Sequence, residues 1–396
     1  MRALILVLVT CALAVAVAQA DSLNVRTVGA YDTPDMAYGI ALAGNYAYIA
    51  DCGSGLRVID VSDPHNPSEV GFYDTVEVAR GVAVSGNYAY LAYGYGGIRV
   101  VDVSNPASPV QVGVYPLSDY AWAVAVSDSY AYVADEDAGL AVIDISNPHM
   151  PTLAGSCNTP GNAMSVAVSG NYAYVADLSG GLRVIDVSNH SNPNEVGSYV
   201  PSDIAYSVAV SGNYAYLGTY HGLRIIDVSN PANPTEVSYH YTALSVMGVA
   251  IDGSRAWLGN ENAGPLLLDV SDPQTPSPLG FYNEKGAYGM AVSGGYAYAA
   301  SGGDGLRIYE YYGAAVEEGS MPTTSGPSLY TGPTAVRGVL EIGPQPKIGL
   351  LDISGRKVLD LRPGANDVSR LAPGVYFLHV GTRGRTPAVG RVTVLR

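Results

Sequence analysis

Gly86-Asn87-Tyr88-Ala89-Tyr90-Leu91-Ala92, followed by Ile98-Arg99-Val100-Val101-Asp102-Val103-Ser104-Asn105-Pro106, is the stretch that decides the fold, because it is one of seven copies. Gly-Asn-Tyr-Ala-Tyr stands at 44–48, 86–90, 170–174 and 212–216, with variants at 128–132, 253–257 and 294–298. The second motif, in full form Leu182-Arg183-Val184-Ile185-Asp186-Val187-Ser188, places an acid at Asp60, Asp102, Asp144, Asp186, Asp227, Asp269 and Glu310. Those acids are 42, 42, 42, 41, 42 and 41 residues apart. A period this constant marks a repeat architecture, in which one supersecondary unit is stacked many times.

Each copy reads as four short strands. In the second they are Gly81–Val84, Tyr88–Ala92, Ile98–Val103 and Val110–Tyr115, separated by Ser-Gly-Asn, a glycine-rich loop and a loop with two prolines. Alternating apolar residues, β-branched side chains and Gly/Asn/Pro boundaries favour strands over helices. The Tyr-Ala-Tyr alternation puts large and small side chains on opposite faces of one strand, which suits blades packed face to face. The seventh copy stops near Tyr312 after its third strand, and its missing fourth strand stands at the other end of the chain. Residues 24–33, Asn-Val-Arg-Thr-Val-Gly-Ala-Tyr-Asp-Thr, match 66–75, Asn-Pro-Ser-Glu-Val-Gly-Phe-Tyr-Asp-Thr. The expectation is an all-β, seven-bladed β-propeller over residues 21–312, closed by its own N-terminal strand so that no blade is left open.

The repeat Leu-Arg-Val-Ile-Asp-Val-Ser resembles the LVIVD repeat of bacterial and archaeal surface and secreted propeller-like proteins. The resemblance covers nearly all of residues 23–312. It implies a propeller and an extracellular place, and no particular activity.

The flanks have a different character. Arg2, the apolar run Ala3–Ala18 and the small-x-small site Ala18-Gln19-Ala20 read as a secretory signal peptide over residues 1–20. No other stretch is long and apolar enough to span a bilayer, so no membrane span is expected after signal removal. Residues 313–333, rich in Glu, Gly, Ser, Pro and Thr, read as a linker. Residues 334–396 suggest a small immunoglobulin-like β-sandwich, with a hairpin at Lys347–Leu361 and strands at Pro373–Leu378 and Arg391–Leu395. This segment resembles the C-terminal sorting domain of the type IX (Por) secretion system, through Ile348-Gly349-Leu350-Leu351-Asp352, Gly355-Arg356, Pro373-Gly374-Val375-Tyr376-Phe377 and the basic end Arg391–Arg396. That family often opens with Tyr-Pro-Asn-Pro, where this chain reads Leu329-Tyr330-Thr331-Gly332-Pro333. The resemblance implies secretion machinery as a partner of residues 334–396, and display on the outer surface of a Gram-negative-type bacterium.

Charge divides along the same boundary. Residues 21–312 hold 29 acidic and 9 basic side chains, a net −20, whereas residues 334–396 hold 4 acidic and 10 basic, a net +6. The acidic body argues against nucleic acid and anionic membranes as partners. Cys52 and Cys157 are the only cysteines after residue 20, too few for a disulfide framework, and they are expected unpaired.

Two columns of residues are candidates for function. Loops before each first strand and after each second strand share one face of the ring. They carry Asp32, Asp35, Asp51, Asp74, Glu77, Asp119, Asp135, Glu136, Asp137, Asp177 and Asp203, while Leu244 and Lys285 replace the acid in copies six and seven. Such a rim, with Asp35, Asp51, Glu77, Asp119, Asp135, Asp137, Asp177 and Asp203 as its core, could hold Ca²⁺ through oxygen ligands, or sugar hydroxyls; it could equally be a solvated rim whose acids shape turns. Asp135-Glu136-Asp137 is the densest cluster but lacks the spacing of a dedicated calcium loop. Three residues on stands Tyr38, Arg80, Trp122, Met164, Tyr206, Met247 and Tyr288, one per copy, at one height around the channel mouth. Aromatic faces with an arginine suit stacking on a sugar or peptide side chain. The alternative is that this column is the top layer of the core, since it shares strand parity with Ile40 and Val82.

The acid that recurs in every copy reads as structural, accepting N–H bonds in the following turn. The histidines do not cluster, and no HExxH, Gly-x-Ser-x-Gly, Walker or dinucleotide signature appears. The function expected is a secreted, non-enzymatic binding module for an extracellular protein or glycan, without a cofactor beyond a possible structural Ca²⁺. The alternatives are a propeller hydrolase or lyase using rim carboxylates, and a purely structural surface component.

Overall fold

The computed structural model describes residues 22–313 except 76, 243, 284 and 285, together with strand segments between 335 and 394. The predicted signal peptide and nearly all of the predicted linker lie outside the described residues, as does Lys285. The chain divides into two compact units, one of which is Ala20–Ala315.

That unit is seven antiparallel blades. The second has strands Gly81–Ser85, Tyr88–Ala92, Ile98–Asp102 and Val110–Tyr115, and its neighbours repeat the pattern with shifts of a residue or two. Blade 7 consists of Gly289–Ser293, Tyr296–Ala300 and Leu306–Tyr311, with Val25–Tyr31 hydrogen-bonded outside them in the register Val25↔Tyr311 to Tyr31↔Leu306. The N-terminal strand thus closes the ring. The chain reaches further than the repeat suggested, because Ser22 and Leu23 pair with Tyr282 and Phe281 on the outer edge of blade 6. Asn24 turns between the two blades at φ 53°, and its side-chain amide donates to Leu279 O at 2.8 Å. One short segment therefore covers two sheet edges that would otherwise present unpaired backbone.

Packing between blades follows the Tyr-Ala-Tyr alternation. Tyr48 of blade 1 packs in one cluster with Ala89 and Leu91 of blade 2, and Tyr90 packs with Ala131 and Val133 of blade 3. Trp257 takes the tyrosine's place in blade 6 against Ala297. These tyrosines, the tryptophan and their alanine partners are almost wholly buried. A large side chain from each blade fills the space above the next blade's alanine, so both faces of every sheet are covered.

The outer strands are held as closely. A Cβ on Gly71 would stand 2.2 Å from Pro106 O, and on Gly113 2.1 Å from Pro148 O. In blade 5 Ser238 replaces this glycine, and its hydroxyl donates to the equivalent carbonyl, Pro273 O, at 2.6 Å. The repeated acid also acts locally. Asp60, Asp102, Asp144, Asp186, Asp227 and Asp269 each accept the N–H of the serine two residues on, at 2.8–2.9 Å. That serine's hydroxyl and N–H hold each carboxyl below its ordinary range. Cys52 and Cys157 are both free thiols.

In the C-terminal region, strands Ala335–Val336, Ile348–Leu351, Lys357–Leu361, Gly374–Val380 and Val389–Val394 form one sheet. Val339–Ile342 pairs separately with Gly364–Asp367. The hairpin pairing of Ile348–Leu351 with Lys357–Leu361 stands where the sequence placed it.

Candidate functional site

The face that carries the acids is built from a repeated clip. The residue at the end of each second strand or just past it is buried: Asp51, Tyr93, Asp135, Asp177, Thr219, Asn260 and Ser301. In three blades it is an aspartate that fastens the loop entering its own blade. Asp51 accepts from Thr33 Oγ1 at 2.6 Å and from Asp35 N at 3.1 Å. Asp177 accepts from Thr159 Oγ1 at 2.5 Å and Gly161 N at 2.8 Å. Asp135 accepts from Ser118 Oγ at 3.1 Å and Asp119 N at 3.2 Å. Burial pushes all three carboxyls above their ordinary value, against these hydrogen bonds.

The remaining rim acids do related work. Asp35 accepts Gly53 N and Asp119 accepts Asp137 N, at 3.0 and 3.2 Å. Asp137 takes the side-chain amide of Asn162. The N–H of Glu77 meets Tyr93 OH at 2.5 Å, while the Glu77 residue itself is exposed. In blade 5 the roles exchange: Thr219 Oγ1 and His221 N both donate to Asp203 Oδ2, at 3.0 and 2.9 Å. Burial opposes the charge on Asp203, but the Ile204 and His221 N–H groups and the Thr219 hydroxyl outweigh it and hold the carboxyl below its ordinary value. Asp32 and Asp74 pair with Arg307 and Arg57 at 2.8 and 2.7 Å. The rim acids are thus spread between buried clips, turn acceptors and ion pairs. Among the described residues no three His, Cys, Asp or Glu side chains converge as metal ligands.

One residue beyond the clip, the backbone crosses to the next blade. Ala79, Ala121, Ala163 and Ala205 donate to Cys52, Gly94, Glu136 and Leu178, and Ala37 to Gly302, at 2.9–3.1 Å. The five acceptors all have positive φ, from 38° to 57°, a left-handed conformation that aims the carbonyl at the neighbour. These bonds fix each alanine, and therefore the residue after it. Ala37, Ala79, Ala121, Ala163, Ala205, Val246 and Ala287 are fully buried, and each is followed by a half-buried member of the mouth column.

All seven mouth residues are half-buried, so the column is neither a dry core layer nor a loose rim. The structure brings four of them into a contiguous cluster. The Arg80 guanidinium carbon lies 4.2 Å from the ring centre of Tyr38 and 4.9 Å from that of Trp122. Tyr38 meets Tyr288 edge to face at 5.1 Å. Met164, Tyr206 and Met247 complete the column on the other side of the ring.

Sequence reading missed two members of this cluster. Tyr120 accepts from Arg80 Nε at 3.0 Å and lies 4.8 Å from Trp122, ring centre to ring centre, and Tyr95 caps Tyr120 edge to face at 4.9 Å. The signal was available two positions before the mouth column, where Met36, Val78, Asn162, Ile204, Ser245 and Gly286 stand in place of Tyr120. Glu136 adds a carboxylate beside Trp122. Burial, with Asp119 and Asp137, pushes its carboxyl up, while the nearby Trp122 indole N–H favours the charged form. That N–H makes no hydrogen bond of good geometry.

The repeat also breaks beside the mouth. In blades 6 and 7 the clip positions Asn260 and Ser301 leave Asn260 Oδ1 and Ser301 Oγ buried without a partner. A shallow depression lined by Met36, Glu261, Tyr288, Ser301 and Asp304 opens there, and Tyr288 belongs to both it and the mouth.

A closed ring of seven antiparallel sheets defines a β-propeller. The LVIVD repeat model matches residues 35–75, 78–116, 118–159, 160–200, 204–242 and 286–309, and the chain belongs to the LVIVD repeat family. No curated protein matches the chain. Among solved structures, the computationally designed Ika8 protein is similar with a TM-score of 0.53 and 11% identity, over 72% of this chain and 99% of that one. At that identity the likeness concerns fold alone.

Proposed function

We propose that this propeller is a non-enzymatic binding module whose site is the channel mouth, taking a protein or glycan partner. The observation that carries the reading is the contrast within the repeat. The Asp-Ser turns recur in six blades and the inter-blade tyrosine in all but one, whereas the half-buried mouth column is tyrosine in three blades, methionine in two, and arginine and tryptophan in one each, and it gathers Arg80, Tyr38, Trp122 and Tyr288 into contact. Aromatic faces beside a guanidinium offer stacking area at small entropic cost together with directional donors. An acid–base enzyme would need a pair of tuned carboxyls facing a shared cavity; of the raised carboxyls, Asp51, Asp135 and Asp177 are buried clips engaged by their own loops, Glu69 faces Arg57, and Glu136 alone stands beside the mouth cluster. This supports binding over hydrolysis or lyase chemistry.

On the same proposal, residues 1–20 direct secretion and residues 334–396 act as a type IX sorting domain that brings the ring to the outer surface. The reading is tested by screening the protein against glycan and extracellular-protein panels with Trp122→Ala and Tyr38→Ala alongside. Binding that is lost in both variants, with the fold intact by circular dichroism, supports a mouth site. Binding untouched by either rejects it. A calcium-dependent shift in melting temperature that disappears in Asp119→Asn would instead favour a cation role for the rim.

A further inference from the structure

Arg80 is an unusual cation for this molecule. The propeller's other described arginines mostly sit against carboxylates: Arg57 with Asp51, Glu69 and Asp74, Arg183 with Asp177 and Glu195, Arg224 with Glu236, Arg307 with Asp32 and Asp304. Arg80 has no carboxylate partner among the described residues. Its hydrogen bond of good geometry runs from Nε to Tyr120 OH, and the Tyr38 hydroxyl is a second nearby neutral acceptor. Tyr38, Tyr120 and Trp122 surround it at 4.2, 5.9 and 4.9 Å from ring centre to guanidinium carbon. In a body of net charge −20 with 29 acids available, a half-buried guanidinium held by three aromatic rings is poised for an acceptor supplied from outside. A guanidinium presents a planar fork that matches a carboxylate in bidentate fashion.

Resting on the mouth-site reading above, we infer that the ligand is a carboxylated sugar: a glycan residue bearing an acid group, with the carboxylate on Arg80 and the sugar ring on the adjoining aromatic faces. Three further features bear on that class. The aromatic surface runs without a break from Tyr95 through Tyr120, Trp122 and Arg80 to Tyr38 and Tyr288, which suits successive sugar rings better than one side chain. Past Tyr288 it meets the depression holding Glu261, an acceptor of the kind that pairs with sugar hydroxyls. Just below the mouth the inner strands are pressed together, a Cβ on Gly39 meeting Arg80 O at 2.7 Å and on Gly289 meeting Tyr38 O at 2.5 Å. That packing leaves little room for a peptide to add as an extended strand. The acidic body also disfavours densely charged chains, so a single acid group among neutral sugars fits best.

The test uses the full chain and matched pairs of oligosaccharides that differ only in a terminal uronic acid against the corresponding neutral hexose, with an acidic peptide as a third probe. An acid-ended glycan is expected to bind about tenfold or more tighter than its neutral twin, the effect of one charge-assisted pair. Arg80→Gln should remove that preference while leaving the weaker binding of the neutral twin. Arg80→Lys, which keeps charge but not the fork, should restore only part of it and also guards against loss of fold. Equal binding of the twins, or a preference that survives Arg80→Gln, overturns the carboxylate assignment and leaves the mouth site standing. Binding of the acidic peptide alone overturns the sugar class. No binding of any probe overturns the inference, and glycan binding that ignores Trp122→Ala and Tyr38→Ala overturns the mouth site itself.

Discussion

At the scale of single residues, the repeat places the same side chain in the same local chemistry many times. Asp144 is typical: the hydroxyl and N–H of Ser146 hold its carboxyl below the ordinary 3.8. A carboxyl lowered in the fold contributes stability that is present above about pH 4 and is lost as pH falls through its folded value. Asp144→Ala is therefore expected to lower stability by about 0.5–1 kcal/mol at pH 7, since the site is largely exposed, and to matter progressively less as pH falls through the folded value, as read by urea unfolding across an acid pH series. The buried clips act in the opposite sense. Asp51, Asp135 and Asp177 are raised by burial, so their charged forms oppose folding above their folded pKa, and that opposition eases on acidification. Among the described residues eight carboxyls are lowered, the six turn aspartates with Asp63 and Asp203, against five raised, the three clips with Glu69 and Glu136, which predicts that the melting temperature falls as pH drops below about 4; a rise there would contradict the balance. Glycine gives a sharper contrast. Gly71→Ala drives a Cβ to 2.2 Å from Pro106 O and should cost about 1–3 kcal/mol. Gly86→Ala, at φ 57° with nothing within 4 Å, should cost only about 1–2 kcal/mol for its left-handed backbone.

At the scale of elements, closure depends on one strand. Val25–Tyr31 completes blade 7, and Arg26 pairs with Glu310 at 2.7 Å across that junction. Ser22 and Leu23 extend the hold to blade 6. Deleting residues 21–31 removes both edge pairings and exposes the third strand of blade 7 as an open, β-rich edge. The shortened protein is expected to melt at a lower temperature and to self-associate in size-exclusion chromatography. A deletion variant that stays monomeric with an unchanged melting temperature would show that the ring does not need its clasp. The missing outer strand of the seventh copy made this element legible in sequence, by the match of 24–33 to 66–75. The additional pairing on blade 6 was not legible, because Ser22 and Leu23 belong to no repeat and find their partner only once blades 6 and 7 stand side by side.

At the scale of the whole molecule, stability rests on packing between blades rather than on covalent bonds. Both cysteines of the described propeller are free, so a reducing agent should leave the melting temperature unchanged. A drop on reduction would reveal a cross-link. The number of blades, their strand order and the inter-blade tyrosines could all be read along the chain, because period and alternation are properties of sequence. The chain also named the mouth column, since residues equivalent in a repeat must share a height. It could not say that four of the seven touch, or that Tyr120 and Tyr95 join them. Most of those contacts run between blades, from 25 positions for Tyr95 and Tyr120 to 250 for Tyr38 and Tyr288, and they depend on each side chain's direction once the ring has closed. Nor could it separate rim acids that are buried clips from those that face water. An aspartate at the end of a strand looks the same in either case, and only the loop folded over it decides which it becomes.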